Sequence, residues 1–335
     1  MGRWSYDPPR LEGDMNVVTQ RAREKGFVFG VIGILLGALL LALFGGPGLD
    51  EGRRASLELL ARTHSGTSTV VEWSSMPALV FVGGCAGLLA GMLGMGGGVL
   101  KVAGLLVVFH LDILLVRAIS LTTMFVATAS AMPVHARMGQ IGWDTVRPMF
   151  VPALTGVLAG TFLGTIVPKP TLTHFFAFFV IFLAFSTLAQ TFAGLERSPD
   201  VIGVRGPLDR GLQFTCMSIG GLHGFVSGLL GISGGVVAVP MQQSLIDVPV
   251  RQAVGNSIVL SAWITGFGSF AAVASGLHRG DFLLGDVLFA SGCIGGGAWL
   301  GSQLGARLSG QIPSFYMKLL LVLVSLLAGL VILFK

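Results

Sequence analysis

The residues of this chain that could do chemistry sit where helix should fail. Gly94-Met95-Gly96-Gly97-Gly98 and Gly231-Ile232-Ser233-Gly234-Gly235 each interrupt a long apolar stretch, at roughly 77–109 and 212–246. As one helix, the first stretch would be about 50 Å long at 1.5 Å per residue, well beyond a ~30 Å hydrocarbon core. Glycine clusters also oppose continuous helix. Each stretch is therefore expected to break into two arms meeting at a glycine turn. The second arms would begin near Gly98 and Gly235, presenting free backbone N–H groups and the positive end of a helix dipole. Two such ends facing each other would grip an oxyanion, and absent Cβ atoms let a tetrahedral headgroup approach the backbone. The competing reading is close helix packing, which the four-residue spacing of Gly156, Gly160, Gly164 and of Gly297, Gly301, Gly305 fits better.

A few polar side chains surround these turns. Lys101 lies three residues into the first hairpin's second arm. An intramembrane cation is expensive unless it is paired or wetted, so Lys101 reads as a countercharge for an anion or as a side chain snorkelling to the surface. Ser120, Thr122 and Thr123 open the span after the first hairpin, and Asn256 and Ser257 open the span after the second. They are neutral donors for an oxyanion or, equally, hydrogen bonds between helices. Gln242 and Gln243 are weaker candidates. His223, in the second hairpin's first arm, could carry a coupling proton or make an interhelical hydrogen bond. Asp112 and Asp247, each at a hairpin exit and followed by Arg117 and Arg251, read as local ion pairs or turn residues rather than a proton relay. His135, His174 and His278 fall at span ends and read as interface residues. Bulk at Gly97 or Gly234 is expected to remove anion binding from a protein that still folds.

The elements that must hold these residues are membrane helices. Charged residues make up 11% of the chain, against roughly 25% in a soluble domain, and mean hydropathy is +0.83. So little charge cannot cover a water-facing surface. The 50 glycines and two tyrosines disfavour an outer-membrane barrel with aromatic girdles. The net charge of +5 comes from scattered residues, which excludes a nucleic-acid surface. Cys85, Cys216 and Cys293 lie inside apolar segments without a CxxC and read as packed thiols.

Residues 1–25 form a basic segment on the cytoplasmic side, 26–46 an extra transmembrane helix, and 47–75 a polar extracytoplasmic loop. The rest is duplicated, with repeat 1 at 76–195, a connector at 196–210 and repeat 2 at 211–335. Residues 83–106 align with 220–243, and ten positions are identical, among them Gly83, Gly84, Gly87, Gly91, Gly94, Gly97 and Gly98 with their partners. Gly156, Gly160 and Gly164 meet Gly297, Gly301 and Gly305 further on. Treating 77–109 and 212–246 as re-entrant hairpins puts more of the flanking Lys and Arg on the cytoplasmic side than nine full crossings would. The expected fold is an all-α polytopic membrane protein: one extra helix, then two four-segment repeats, each a broken hairpin plus three transmembrane helices. Three crossings per repeat would invert the second relative to the first, as in secondary transporters.

The paired hairpin motifs, the GISGGVVAVP stretch and the AVGNS of Ala253–Ser257 resemble the sulfite exporter TauE/SafE family, also called the toluene sulfonate uptake permeases. The resemblance covers residues 76–334. The first half departs from it, with Lys101-Val102-Ala103 where Val-Pro is usual and AISLTT (Ala118–Thr123) in place of an AVGTS-like stretch. The resemblance implies a multi-pass carrier of the cytoplasmic membrane for small sulfur-containing anions such as sulfite or organosulfonates. Gly94, Gly96, Gly97, Gly98, Lys101, Thr122, Thr123, Gly231, Ser233, Gly234, Gly235, Asn256 and Ser257 are the candidate binding residues, and His223 the candidate for proton coupling. Expected partners are the anion and the lipid bilayer, with no nucleic acid; a homodimer is compatible with the sequence, which is silent on oligomeric state. No cofactor or metal is expected. An anion channel and an intramembrane histidine-ligated redox enzyme are the alternatives. Enzyme chemistry is disfavoured because the chain lacks HExxH, paired carboxylates and a Ser/His/Asp set.

Overall fold

A computed structural model describes residues 75–93, 97–192, 209–308 and 314–333. The expected span at 26–46, nearly all of the 47–75 loop and most of the 196–210 connector lie outside the described residues. The described chain is all-helical, in the order α1 (Met76–Leu93), α2 (Gly98–Val107), α3 (Ile113–Arg137), α4 (Trp143–Ile166) and α5 (Lys169–Phe192), followed by α6 (Arg210–Leu230), α7 (Gly235–Leu245), α8 (Val250–Arg279), α9 (Leu284–Leu308) and α10 (Ser314–Leu333). Both overlong stretches break at their glycines. Helix stops at Leu93 and resumes at Gly98, and it stops at Leu230 and resumes at Gly235.

By length and composition, α3, α4, α8 and the Lys169–Leu188 part of α5 are able to cross a membrane. Their burial sorts them into layers. The most apolar windows of α3 and α8 are 72% and 56% buried, against 33% for α4 and α5, so α3 and α8 form the middle of the bundle. Phe162 on α4, Phe178, Phe182 and Phe185 on α5, and Leu300 on α9 are exposed. Large apolar side chains pointing outward are what a lipid-facing surface needs.

Glycine ladders set the closest helix contacts. Gly83, Gly87 and Gly91 lay α1 on the backbone of Ile294, Ala298 and Ser302, while Gly297, Gly301 and Gly305 of α9 lie on Val80, Gly84 and Leu88. A Cβ at any of the six would overlap a backbone carbonyl. The numbers rise together, so α1 and α9 run side by side in the same direction. The second ladder joins α4 and α6: Gly156 and Gly160 lie on Gly221 and Phe225, while Gly220, Gly224 and Gly228 lie on Met149, Ala153 and Val157. These helices also run in parallel. Backbones this close gain dispersion and Cα–H···O contacts that bulkier helices cannot reach. The spacing of Gly156, Gly160, Gly297, Gly301 and Gly305 thus marks packing faces, as expected.

The bundle's middle helix α8 starts at the α3–α4 loop, where Gly255 lies on the Gln140 carbonyl. It ends where Arg279 donates to the Thr165 carbonyl at the far end of α4. At that end Lys169 pairs with Asp112 at 2.8 Å and lies 3.9 Å from Asp281, which Arg279 also approaches. Of the two roles expected of Asp112, pairing with Arg117 does not form. Asp112 instead caps α3 by accepting from the Leu114 N–H, and its other oxygen takes Lys169.

Candidate functional site

The two hairpin tips touch. A Cβ on Gly98, the first residue of α2, would meet the Cα of Ile232 and the Sδ of Met124. The first turn of α2 therefore rests on the backbone of the second glycine cluster. Residues 231–236 are all buried. Gly94 and Gly96 lie outside the described residues.

Two of these glycines are required by backbone conformation. Gly97, the N-cap of α2, has φ +52°, and Gly231, the C-cap of α6, has φ +69°. Both are left-handed, a region that side chains with a Cβ rarely enter. Gly234 is different, with an ordinary φ of −63°. Its missing Cβ serves contact instead, because a Cβ there would fall on the His223 carbonyl and ring. Gly97 lies in the same way on the Ala86 carbonyl. Each glycine closes its own hairpin, second arm onto first. Bulk at Gly97 or Gly234 would therefore disturb folding as well as any ligand, which corrects the expectation that such variants fold normally.

Lys101 is 1% exposed, so it does not snorkel to the surface. Its Nζ donates to Thr123 Oγ1 at 3.0 Å. The Thr123 hydroxyl in turn has the carbonyls of Ile119 (2.9 Å) and Ser120 (3.0 Å) within reach. This brings the first hairpin's cation and one predicted hydroxyl together one turn from the tip contact. No carboxylate among the described residues pairs with Lys101. Thr122, half-buried, spends its hydroxyl on the Ala118 carbonyl at 2.8 Å.

On the second hairpin, His223 Nε2 is 3.0 Å from Ser261 Oγ, which is 3.0 Å from Ser233 Oγ. Ser233 also accepts from the Gly235 N–H at 3.2 Å. A continuous hydrogen-bonded path thus runs from the imidazole to the first amide of α7. All four residues are buried, and His223 Nδ1 has no partner. Ser261 carries no motif, and only its place on α8 reveals it.

Asn256 makes its hydrogen bonds to groups outside the glycine turns. Its Oδ1 accepts from the Gly142 N–H at 2.7 Å and its Nδ2 donates to Gln242 Oε1 at 2.9 Å, tying α8 to the α3–α4 loop and to α7. Ser257 is fully buried beside it in the chain. His135 is buried rather than interfacial, with Nε2 3.0 Å from the Gly91 carbonyl and Nδ1 2.6 Å from Gln140 Oε1. His174 is exposed, as a span end implies. Arg117 is the residue that sequence reasoning misplaced: 1% exposed, it lies against Gly231 and donates from Nη2 to the Gly228 carbonyl at 2.6 Å. Among the described residues no three His, Cys, Asp or Glu side chains gather as a metal site.

The family described as sulfite exporter TauE/SafE matches residues 78–332. The chain belongs to the sulfite exporter TauE/SafE family. Among the relatives of this TauE/SafE chain is the probable membrane transporter protein MamO of Paramagnetospirillum magneticum, 28% identical over 264 residues, which is 72% of this chain and 41% of that protein. The MamO protein of Magnetospirillum gryphiswaldense is 29% identical over 257 residues, 70% of this chain and 41% of its own length. The probable membrane transporter protein YunE of Bacillus subtilis is 23% identical over 270 residues, 76% and 96% of the two chains. The match thus spans less than half of the two MamO proteins but nearly all of YunE. No solved structure matches the chain. Family and apolar helices together make this a multi-pass membrane protein of a transporter family.

Proposed function

We propose that this chain is a permease of the cytoplasmic membrane that carries a small sulfur-containing oxyanion by alternating access, the anion held between the hairpin tips. One observation carries the reading: Lys101 is fully buried, has no described carboxylate partner, and lies one turn from the point where the two glycine clusters meet. A buried cation without a countercharge is strongly unfavourable, and an anionic substrate supplies that charge. In this reading the amide opening α2 at Gly98 faces the oxyanion, the Gly235 amide opening α7 exchanges Ser233 Oγ for it, and Lys101 neutralises it. Thr123 holds the ammonium in place. The path from Ser233 through Ser261 to His223 passes a proton to or from the site. Neutral hydroxyls beside one cation hold an anion without trapping it, as a carrier requires.

Alternating access is supported by the packing. α1 follows α9 and α6 follows α4. α8 runs alongside α4 and antiparallel to α3, which α9 follows, so the first arms of the hairpins enter in opposite directions. Opposed first arms are what inverted repeats around a central site would require. The testing experiment is a thermal-shift panel on the purified protein with sulfite, sulfate, methanesulfonate, acetate and chloride. Stabilisation by the sulfur oxyanions alone supports the reading, and a flat panel or equal response to acetate refutes it. Saturable counterflow in liposomes separates the carrier from a channel, which would pass ohmic current.

A further inference from the structure

Arg117 stands beside the second hairpin tip. Its Cα, Cβ and Cγ lie against Gly231, the left-handed cap of α6, and its guanidinium lies against Gly164 of α4, where any Cβ would overlap it. Nη2 donates to the carbonyls of Gly228 (2.6 Å) and Thr161 (3.3 Å). Capping the last carbonyls of a helix is a familiar task for a basic side chain. The first hairpin shows what that task requires. Gly91 aligns with Gly228, and its carbonyl is met by the imidazole Nε2 of His135 at 3.0 Å. A ring that carries no permanent charge suffices there. A guanidinium is always charged and offers five N–H donors, more than capping uses. Its Nε–H is buried and has no partner, and no carboxylate among the described residues pairs with it.

Each tip therefore carries one buried cation, Lys101 beside Gly98 and Arg117 beside Gly231. Gly98 touches Ile232, the residue after Gly231, so the backbone segments beside the two cations meet, while the guanidinium itself lies against Gly164 and the carbonyls of Gly228 and Thr161. We propose that Arg117 is a second anion-binding cation and that, with Lys101, it selects a doubly charged tetrahedral oxyanion over a singly charged one of the same size. This rests on the anion-permease reading above and deepens it. A monoanion leaves one of the two buried charges uncompensated, whereas a dianion neutralises both.

Sulfate and methanesulfonate test it, being similar in size and shape but different in charge. Dissociation constants are measured by ligand-induced stabilisation of the purified full chain and of Arg117→Gln, which keeps an amide donor but carries no charge. The wild type is expected to prefer sulfate by about tenfold or more, from the added charge–charge attraction at a buried site. Arg117→Gln loses that preference while its methanesulfonate affinity changes by less than about threefold. Equal wild-type affinities, or an unchanged ratio in Arg117→Gln, overturn the proposal while leaving the anion site standing. Should Arg117→Gln fail to fold, the wild-type ratio decides alone. If neither anion stabilises the wild type, the anion-permease reading itself falls and takes this proposal with it.

Discussion

Alanine at two glycines of one helix should move stability in opposite directions. Gly301 and Gly296 both lie within α9, five residues apart. At Gly301 a Cβ would overlap the Gly84 carbonyl of α1 and come within 2.9 Å of the Leu88 nitrogen. At Gly296, which is exposed, it would meet nothing within 4 Å. Both substitutions gain about 1 kcal/mol of helix propensity, so that contribution cancels between them. What remains is the overpacking at Gly301, where α1 and α9 must separate by roughly 1 Å, at a cost of about 1–3 kcal/mol. Gly296→Ala is thus expected to be neutral or stabilised by up to about 1 kcal/mol, and Gly301→Ala destabilised by up to about 2 kcal/mol. Unfolding of each purified variant in detergent, followed by circular dichroism, gives the difference. If the two agree within about 0.5 kcal/mol, the ladder is not the close backbone contact described, and the parallel pairing of α1 with α9 loses its physical basis.

Three further outcomes follow from the same geometry. Single cysteines at Gly139 and Gly280, on a cysteine-free background, should react with impermeant maleimide from opposite faces, because these loop glycines stand at opposite ends of α8; labelling from one face contradicts the inverted arrangement. Asn256→Ala leaves the Gly142 N–H without its acceptor and should lower stability by about 1–3 kcal/mol while affinity in the folded fraction stays near wild type. A tenfold loss of affinity would instead place Asn256 in the site. His223→Gln keeps a donor for Ser261 but cannot carry a proton, so binding should persist while accumulation driven by a pH gradient disappears; unchanged accumulation removes His223 from the coupling path.

The breaks at Gly94–Gly98 and Gly231–Gly235 were legible in the sequence because an apolar run longer than the membrane must either tilt or fold back, and clustered glycine favours the second. The ladder faces were legible from four-residue spacing. Which helix each face meets was not, since spacing defines a stripe and not its neighbour; α1 meeting α9 and α6 meeting α4 emerge only from the packed bundle. Arg117 was misread for a local reason. Asp112 is five residues away and of opposite charge, but it serves as the N-cap of α3 and turns to Lys169, while Arg117 points inward to carbonyls of α4 and α6. A charged residue inside an apolar run was the signal available. Gly97 and Gly234 are aligned in the two repeats, but alignment does not reveal their backbone angles. The aligned positions share the contact with the first arm but not the left-handed φ. Asn256, a donor of the right type at a repeated position, is committed to the α3–α4 loop, a partner far away in sequence.

The measurement that tests the central claim most directly is counterflow of radiolabelled sulfite in proteoliposomes containing wild type or Lys101→Gln. Glutamine keeps an amide donor but supplies no charge to the tips. Wild type should show saturable exchange of external label against internal unlabelled sulfite. Lys101→Gln, at matched folded fraction, should show exchange reduced about tenfold or more at subsaturating sulfite, as expected when a buried countercharge is lost. Equal exchange by the two proteins would contradict an anion site built on Lys101, and absence of exchange in the wild type would contradict the sulfur-oxyanion carrier itself.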